Sequence, residues 1–576
     1  MAQDHHHASP DAARAHLRQL MRLERQDIWA VVAFSVGAGL ISQTTPVAVQ
    51  SLVNTIAFGM LLQPLVVLVL ILLGCLALNN ILIGFQIYVV EMMQRRIFVR
   101  LVGDIAGRLR KASLEAFDQG NAPELVNRFF DVITVQKSGA NLLLDGLAYG
   151  LQALIGMLLL AFYHPILLAF DMVLILSVLF IFFIIGRHGI QTAIGESRSK
   201  YAVAAWLEDL ARNTTLVKWA NGQGFVEATT DRLARNYLDA AGRHFNIVMR
   251  QQIGILILHT LANTALLGLG GWMVIERQLT LGQLIAAELI VSAMLAGLSR
   301  LGKSLMSYYE LMAGMDKLGH LLDLPVESHR GETRPTPSGP ATLSIRQLDY
   351  HYAREHAPPS GIAESSLRLD GRHRVALIGP SGSGRGTLLE LVMGLRQPSS
   401  GTVLFDGYDL RDLRLDVARE SMAIVKGHEI IEGTVLENIR LGRSEISIET
   451  IRDALAGLKL TEVIMALPDG LNTPLNYLGM PLPPEQVRRL MLARAIVGQP
   501  RLLLIHEALD FLDTAISDAV IAWVLRPDAP WTVIVATQHS DVIGHCDRVW
   551  RMEHGHIVEQ GRVATRQRDP SDSDST

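Results

Sequence analysis

The run Val375 to Leu391, VALIGPSGSGRGTLLEL, combines residue types that could hold phosphate. An apolar strand-like stretch enters a glycine-rich turn and leaves it as an apolar, helix-prone segment. This is the order of the phosphate-binding loop G-x-x-x-x-G-K-[ST], in which backbone N–H groups and a helix N-terminus cradle phosphate oxygens. Gly379 and Gly384 stand at the required spacing with Gly382 between them, and Ser381, Ser383 and Thr387 complete the loop. Two chemical positions differ. Arg385 stands where the lysine belongs, and Gly386 stands where a hydroxyl would ligate magnesium. An arginine keeps the positive charge but is longer and planar, whereas a glycine offers no ligand.

Other residues could complete such a site. Glu507 follows the hydrophobic run RLLLI, and Tyr352 precedes the glycine loop in LDYHY. Between them, short β-rich runs (LSI, VALI, VLF, MAIV, RLLLI, TVIVA) alternate with helical stretches from Ala341 onward, the pattern of an α/β nucleotide-binding domain. The segment 327–340, ESHRGETRPTPSGP, reads as a linker, and the tail from 564 to 576 as disordered.

The preceding half is different in kind. Of 576 residues, 49% are hydrophobic and 19% charged, which points to membrane segments and away from a soluble enzyme. Six apolar runs are long enough to span a bilayer: 28–50, 63–90, 142–162, 165–186, 253–275 and 281–304. The N-terminal segment 1–27 lacks the features of a signal peptide. Arg14, Arg18, Arg22 and Arg25 precede the first run, and two long connections are rich in arginine and lysine, whereas those near Gly59, His164 and Glu276 are nearly uncharged. Basic residues collect on the cytoplasmic side, so both termini and both long connections are expected there, in a multi-pass protein of the inner (plasma) membrane. Helical spacing within the long connections implies that membrane helices continue beyond the bilayer, with a short transverse helix at each tip, near 118–124 and 218–224. Asn79, Asn80, Asp171 and Glu288 interrupt the apolar runs and should face a cavity or a partner. Two cysteines, Cys75 and Cys546, do not suggest a disulfide framework, and no motif for nucleic acid is present.

With these residues in place, the chain resembles a half-size ABC exporter over roughly 15–563. It would comprise a six-helix membrane domain (28–326) and a C-terminal ATP-binding domain (341–563). The stretch ALPDGLNTPL at 466–475 is similar to the type I secretion and peptide-exporter branch. The resemblance implies that Tyr352 stacks on adenine, that Gly379, Ser381, Gly382, Ser383, Gly384, Arg385, Gly386 and Thr387 hold the phosphates of ATP, and that Glu507 is the general base. It implies that Leu482, Glu485, Gln486 and Asp513 face a second copy or another half-transporter, in a homodimer or heterodimer. A membrane-fusion protein would be a further partner, and a peptide or protein the cargo.

The departures from the family pattern carry physical weight. His506 replaces the aspartate that holds the metal's water shell, and imidazole is a poor ligand for magnesium. Lys426 replaces a glutamine, and Gln538 the switch histidine, with His539 one place away. The signature LSGGQ becomes Leu482–Pro483–Pro484–Glu485–Gln486, in which the prolines have no N–H to donate. Together these changes imply that ATP binding is retained while hydrolysis is impaired and magnesium is poorly held. The alternative is a degenerate membrane partner with a regulatory or structural role.

Overall fold

The computed structural model describes residues 10–57, 62–118, 126–219, 222–327, 331–334, 337–352 and 361–562. The connection at Gly59 and most of the first tip, 119–125, lie outside these. The chain divides into two compact units: 1–112 with 116–326, and 113–115 with 327–576.

The first unit is helical. Among the described residues, six helical stretches are long and apolar enough to cross a membrane: Arg25–Asn54, Gln63–Lys111, Arg128–Ala161, Pro165–Ile185, Gln223–Ile275 and Leu281–Leu322. Each coincides with one of the six apolar runs, two of which (142–162 and 165–186) extend one residue beyond the helix. Helix Leu62–Lys111 has 50 residues and Gln223–Ile275 has 53. At about 1.5 Å per residue both exceed twice the ~30 Å hydrocarbon thickness, so the helices do run on past the bilayer. The second tip carries the short helix Thr214–Trp219, a few residues before the expected place.

Turns between spans follow from local chemistry. His164 accepts a hydrogen bond from the Ile166 N–H at 3.2 Å ahead of Pro165, and Thr280 forms a reciprocal capping box with Gln283. Buried Glu24, at the break between the first two helices, accepts from Arg100 at 2.5 Å and lies 3.8 Å from Arg96. Gln86 donates to Ser35 Oγ at 2.7 Å within the apolar bundle, a bond that apolar periodicity gives no hint of. Asp171 is buried, and neither of its carboxylate oxygens has a hydrogen-bond partner among the described residues.

The second unit is built on a six-stranded sheet of β3 (Arg374–Ile378), β6 (Met422–Val425), β9 (Leu502–His506), β10 (Thr532–Ala536), β11 (Arg548–Glu553) and β12 (His556–Arg562). The strand order is β12-β11-β3-β10-β9-β6, parallel except for β12. Alternation along each strand divides the core between two faces. Leu503, Ile505, Val533 and Val535 pack on one side, and Val375, Leu377, Leu502, Leu504 and Ile534 on the other. A smaller antiparallel sheet, β2-β1-β4-β5, uses β1 (Leu343–His351), β2 (Gly361–Leu369), β4 (Ser400–Phe405) and β5 (Tyr408–Asp409). β7 (Gly433–Thr434) and β8 (Pro474–Leu475) form a short pair. Every strand-like run singled out from sequence is a strand. The missed ones, β2 above all, are too polar to announce themselves.

Parallel register has one consequence for function. Neighbouring strands β3, β10, β9 and β6 end on the same edge, and past those ends come Gly379, Gln538, Glu507 and Lys426. Crevices outside the carboxyl ends of parallel strands are where such sheets bind ligands.

Candidate functional site

The glycine turn leaves β3 and enters helix Arg385–Val392. Gly382 (φ 81°) and Gly384 (φ 100°) adopt left-handed backbone conformations that favour glycine. A β-carbon on Gly384 would also lie 2.9 Å from Ile362 Cδ1. The loop lines an open cleft of about 420 Å³ together with Tyr352, Gly361, Lys426, His506 and Glu507. The residues expected to hold nucleotide are thus gathered in one place, although Tyr352 lies 35 residues from Thr387 and Arg385 lies 122 from Glu507.

Two of the substituted positions, 386 and 506, contact each other, and a third, Arg385, contacts Glu507. Arg385, buried at the start of its helix, donates through Nη2 to Glu507 Oε1 at 2.9 Å. Among the described residues, its Nη1 is buried without a hydrogen-bond partner, as is Ser383 Oγ. Glu507 is itself in a left-handed conformation (φ 57°). His506 lies against Gly386: a β-carbon there would stand 3.2 Å from Nε2 and 3.5 Å from Cδ2. Burial pushes the His506 pKa below the ordinary histidine value, favouring the neutral ring. Thr387 Oγ1 shares a 2.8 Å hydrogen bond with the Tyr352 hydroxyl, so it does not replace the hydroxyl missing at 386.

Sequence reasoning missed a buried charge network beneath the cleft. Glu390, on the helix that follows the glycine loop, accepts from Arg396 Nε at 2.5 Å and pairs with Lys426 Nζ. Arg396 donates to the Tyr350 hydroxyl at 2.8 Å and stacks over Tyr352, 4.8 Å from its centroid. A glutamate inside the apolar stretch LLELV was the available signal, because a carboxylate is buried only when paired. On β10's far side, Gln538 Nε2 donates to the Gly379 carbonyl at 3.1 Å. His539 instead stands 3.7 Å from Asp541, exposed, so the backbone register presents Gln538 to the loop.

The signature segment is built separately. Leu482 is buried, Pro483 precedes the helix, and Pro484 is the first residue of helix Pro484–Ile496, where a missing N–H costs nothing. Glu485 forms an i,i+4 ion pair with buried Arg489 at 2.8 Å, and Arg489 Nη1 also donates to the Leu458 and Lys459 carbonyls at 3.1 and 2.7 Å. Gln486 is half-buried on the same first turn. Asp513 caps helix Thr514–Val524, accepting from the Ala515 N–H at 3.3 Å. Thr434 and Glu437 form a capping box at the start of helix Val435–Arg440, with bonds of 2.7 and 3.1 Å.

Comparison with known proteins matches this arrangement. The family model described as ABC transporter transmembrane region covers residues 28–298, and that described as ABC transporter covers 362–510. The toxin RTX-I translocation ATP-binding protein of Actinobacillus pleuropneumoniae is 27% identical over 60% of this chain and 48% of its own length. The alpha-hemolysin translocation ATP-binding protein of Escherichia coli is 27% identical over 58% and 47%. The chain thus spans about half the length of these toxin translocators. The mitochondrial ATP-binding cassette sub-family B member 10 of Mus musculus is 26% identical over 94% of this chain and 77% of that protein. A solved bacterial Atm1-family ABC exporter with ATP bound superposes with a TM-score of 0.82 at 21% identity, covering 94% of this chain and 96% of that one.

Proposed function

Because this chain belongs to the ABC transporter family, with an exporter's transmembrane region and nucleotide-binding domain fused in one polypeptide, we propose that it is a subunit of a dimeric exporter that binds ATP and turns it over slowly. The observation that carries this reading is the 2.9 Å Arg385–Glu507 pair beside a phosphate loop whose left-handed glycine turns are kept.

The loop fits an anionic ligand. Gly382 has open space where a β-carbon would be, and Ser383 Oγ and Arg385 Nη1 are buried without partners. A terminal phosphate accepted there would satisfy both, alongside the loop N–H groups. Tyr352 at the cleft wall would meet the base. The same residues do not fit magnesium: Gly386 supplies no oxygen, the imidazole of His506 packs over it, and Thr387 is engaged by Tyr352.

Hydrolysis needs a carboxylate that orients water and donors that stabilise the transferring phosphoryl group. Glu507 Oε1 is instead held by a guanidinium. The signature segment lacks N–H groups at Pro483 and Pro484, and Glu485 brings a carboxylate, so a facing subunit's phosphate would find little to grip. In the family's head-to-tail pairing, both sites of a homodimer would carry both defects. A partner half with its own intact loop and signature would still meet one defect at each site.

A peptide or protein cargo is supported by the relatives' names, which describe toxin and hemolysin translocation. Orientation with both termini in the cytoplasm rests on the basic connections. A second reading, a regulatory partner that binds nucleotide without driving transport, draws on the signature prolines. Measuring ATP affinity and phosphate release on the same purified full-length protein tests the proposal. Binding with little release supports it, and release typical of exporters that Glu507→Gln abolishes would sink it.

A further inference from the structure

The His506 ring covers the ground from which a metal-binding hydroxyl would reach. A β-carbon at 386 would already be 3.2 Å from its Nε2, and the neighbouring Thr387 hydroxyl is committed to Tyr352 at 2.8 Å. At 386 and 506 a hard cation would meet bare backbone and an imidazole nitrogen in place of a hydroxyl and a carboxylate, and the carboxylate that remains, Glu507, is paired with Arg385. The charge the cation would have supplied is present in other form. Arg385 and Lys426 both line the cleft, and Arg385 keeps a buried Nη1 without a partner while its Nη2 holds Glu507. A guanidinium's planar fork matches two phosphate oxygens at once, which a lysine ammonium cannot do.

Resting on the reading that the glycine loop binds ATP, we infer that its ligand is the free nucleoside polyphosphate rather than the magnesium complex, with Arg385 neutralising the terminal phosphates in place of the metal. The loop N–H groups and the helix N-terminus contribute as in any phosphate loop. Glu507 yields part of its hold on Arg385 when the phosphate arrives. Lys426 stays anchored by Glu390, at the wall of the same cleft.

Equilibrium dialysis of labelled ATP against the full-length protein in detergent, in excess EDTA and in excess magnesium chloride, tests this. The expected result is binding in EDTA at least as tight as in magnesium. Arg385→Ala should weaken the EDTA affinity about tenfold or more, the usual weight of a charged hydrogen bond, and Arg385→Lys should recover part of it. The double variant Gly386→Ser/His506→Asp restores an oxygen pair and should make binding magnesium-dependent. Should that variant not fold, the two-medium comparison on the unaltered protein decides by itself. Binding seen only with magnesium would overturn the inference while leaving the ATP-binding reading intact. Unchanged EDTA affinity in Arg385→Ala would also overturn it. Binding in neither medium would overturn both.

Discussion

The glycine loop and the signature helix have both lost family residues, yet they differ in what the replacements do. At the loop, the replacements are accommodated within the site: Arg385 bonds the retained Glu507, and Gly386 makes room for His506. The anion-binding geometry survives because it resides in the backbone. At the signature, the replacements serve the helix itself: Pro484 suits a first turn, and Glu485 is neutralised by Arg489. What the signature offered a partner was backbone N–H, and a proline removes that outright. A site carried by backbone shape tolerates side-chain change, whereas one carried by backbone donors does not tolerate proline.

The largest test of this contrast is restoration. Returning the loop side alone to family residues (Arg385→Lys, Gly386→Ser, Lys426→Gln, His506→Asp, Gln538→His) should leave phosphate release near background. Adding Pro483→Ser, Pro484→Gly and Glu485→Gly should raise it by about 10²–10³, the scale of lost transition-state donors. Full activity from the loop changes alone would reverse the ranking of the two regions. Stability should show the opposite asymmetry. Arg489→Ala strands Glu485 and two buried carbonyls and is expected to cost about 3 kcal/mol in thermal or chemical unfolding of the soluble half. Glu507→Gln should cost less, about 1 kcal/mol, because Glu507 is 37% exposed and the glutamine oxygen still accepts from the buried Arg385. That variant should also leave the slow turnover unchanged in a phosphate-release assay, where a working general base would cost its activity.

The smallest effect concerns pH. Burial lowers the His506 pKa below its ordinary 6.5. The folded state therefore binds fewer protons than the unfolded one just below that value. Stability is fully present above pH 6.5 and declines as pH falls through it toward the folded value. His506→Asn should flatten this part of the denaturation-midpoint profile, and an unchanged slope would place the titrating group elsewhere.

Much of this architecture was legible in the sequence, for physical reasons that vary by element. Spans such as Pro165–Ile185 announce themselves because a bilayer demands an unbroken apolar length. β3, β9 and β10 do so because a strand buried on both faces is apolar throughout. The phosphate loop was readable because its glycines answer a local backbone need. Contacts across the sheet edge were not readable. Nothing in the order of residues says that the Arg385 side chain turns toward Glu507, that Tyr352 binds Thr387 through its hydroxyl, or that Glu390 is shared by Arg396 and Lys426. Those depend on which strand ends stand side by side, as with the four that β3, β10, β9 and β6 bring to one edge.

The contact between Gly386 and His506 also shapes how this protein can change. Restoring a serine at 386 while the histidine stays would press a β-carbon to 3.2 Å from its ring, closer than such atoms ordinarily approach. Restoring an aspartate at 506 while the glycine stays would set a second carboxylate next to Glu507 with no hydroxyl beside it. The two positions are thus coupled through one contact: Gly386→Ser is expected to be tolerated better alongside His506→Asp than alone.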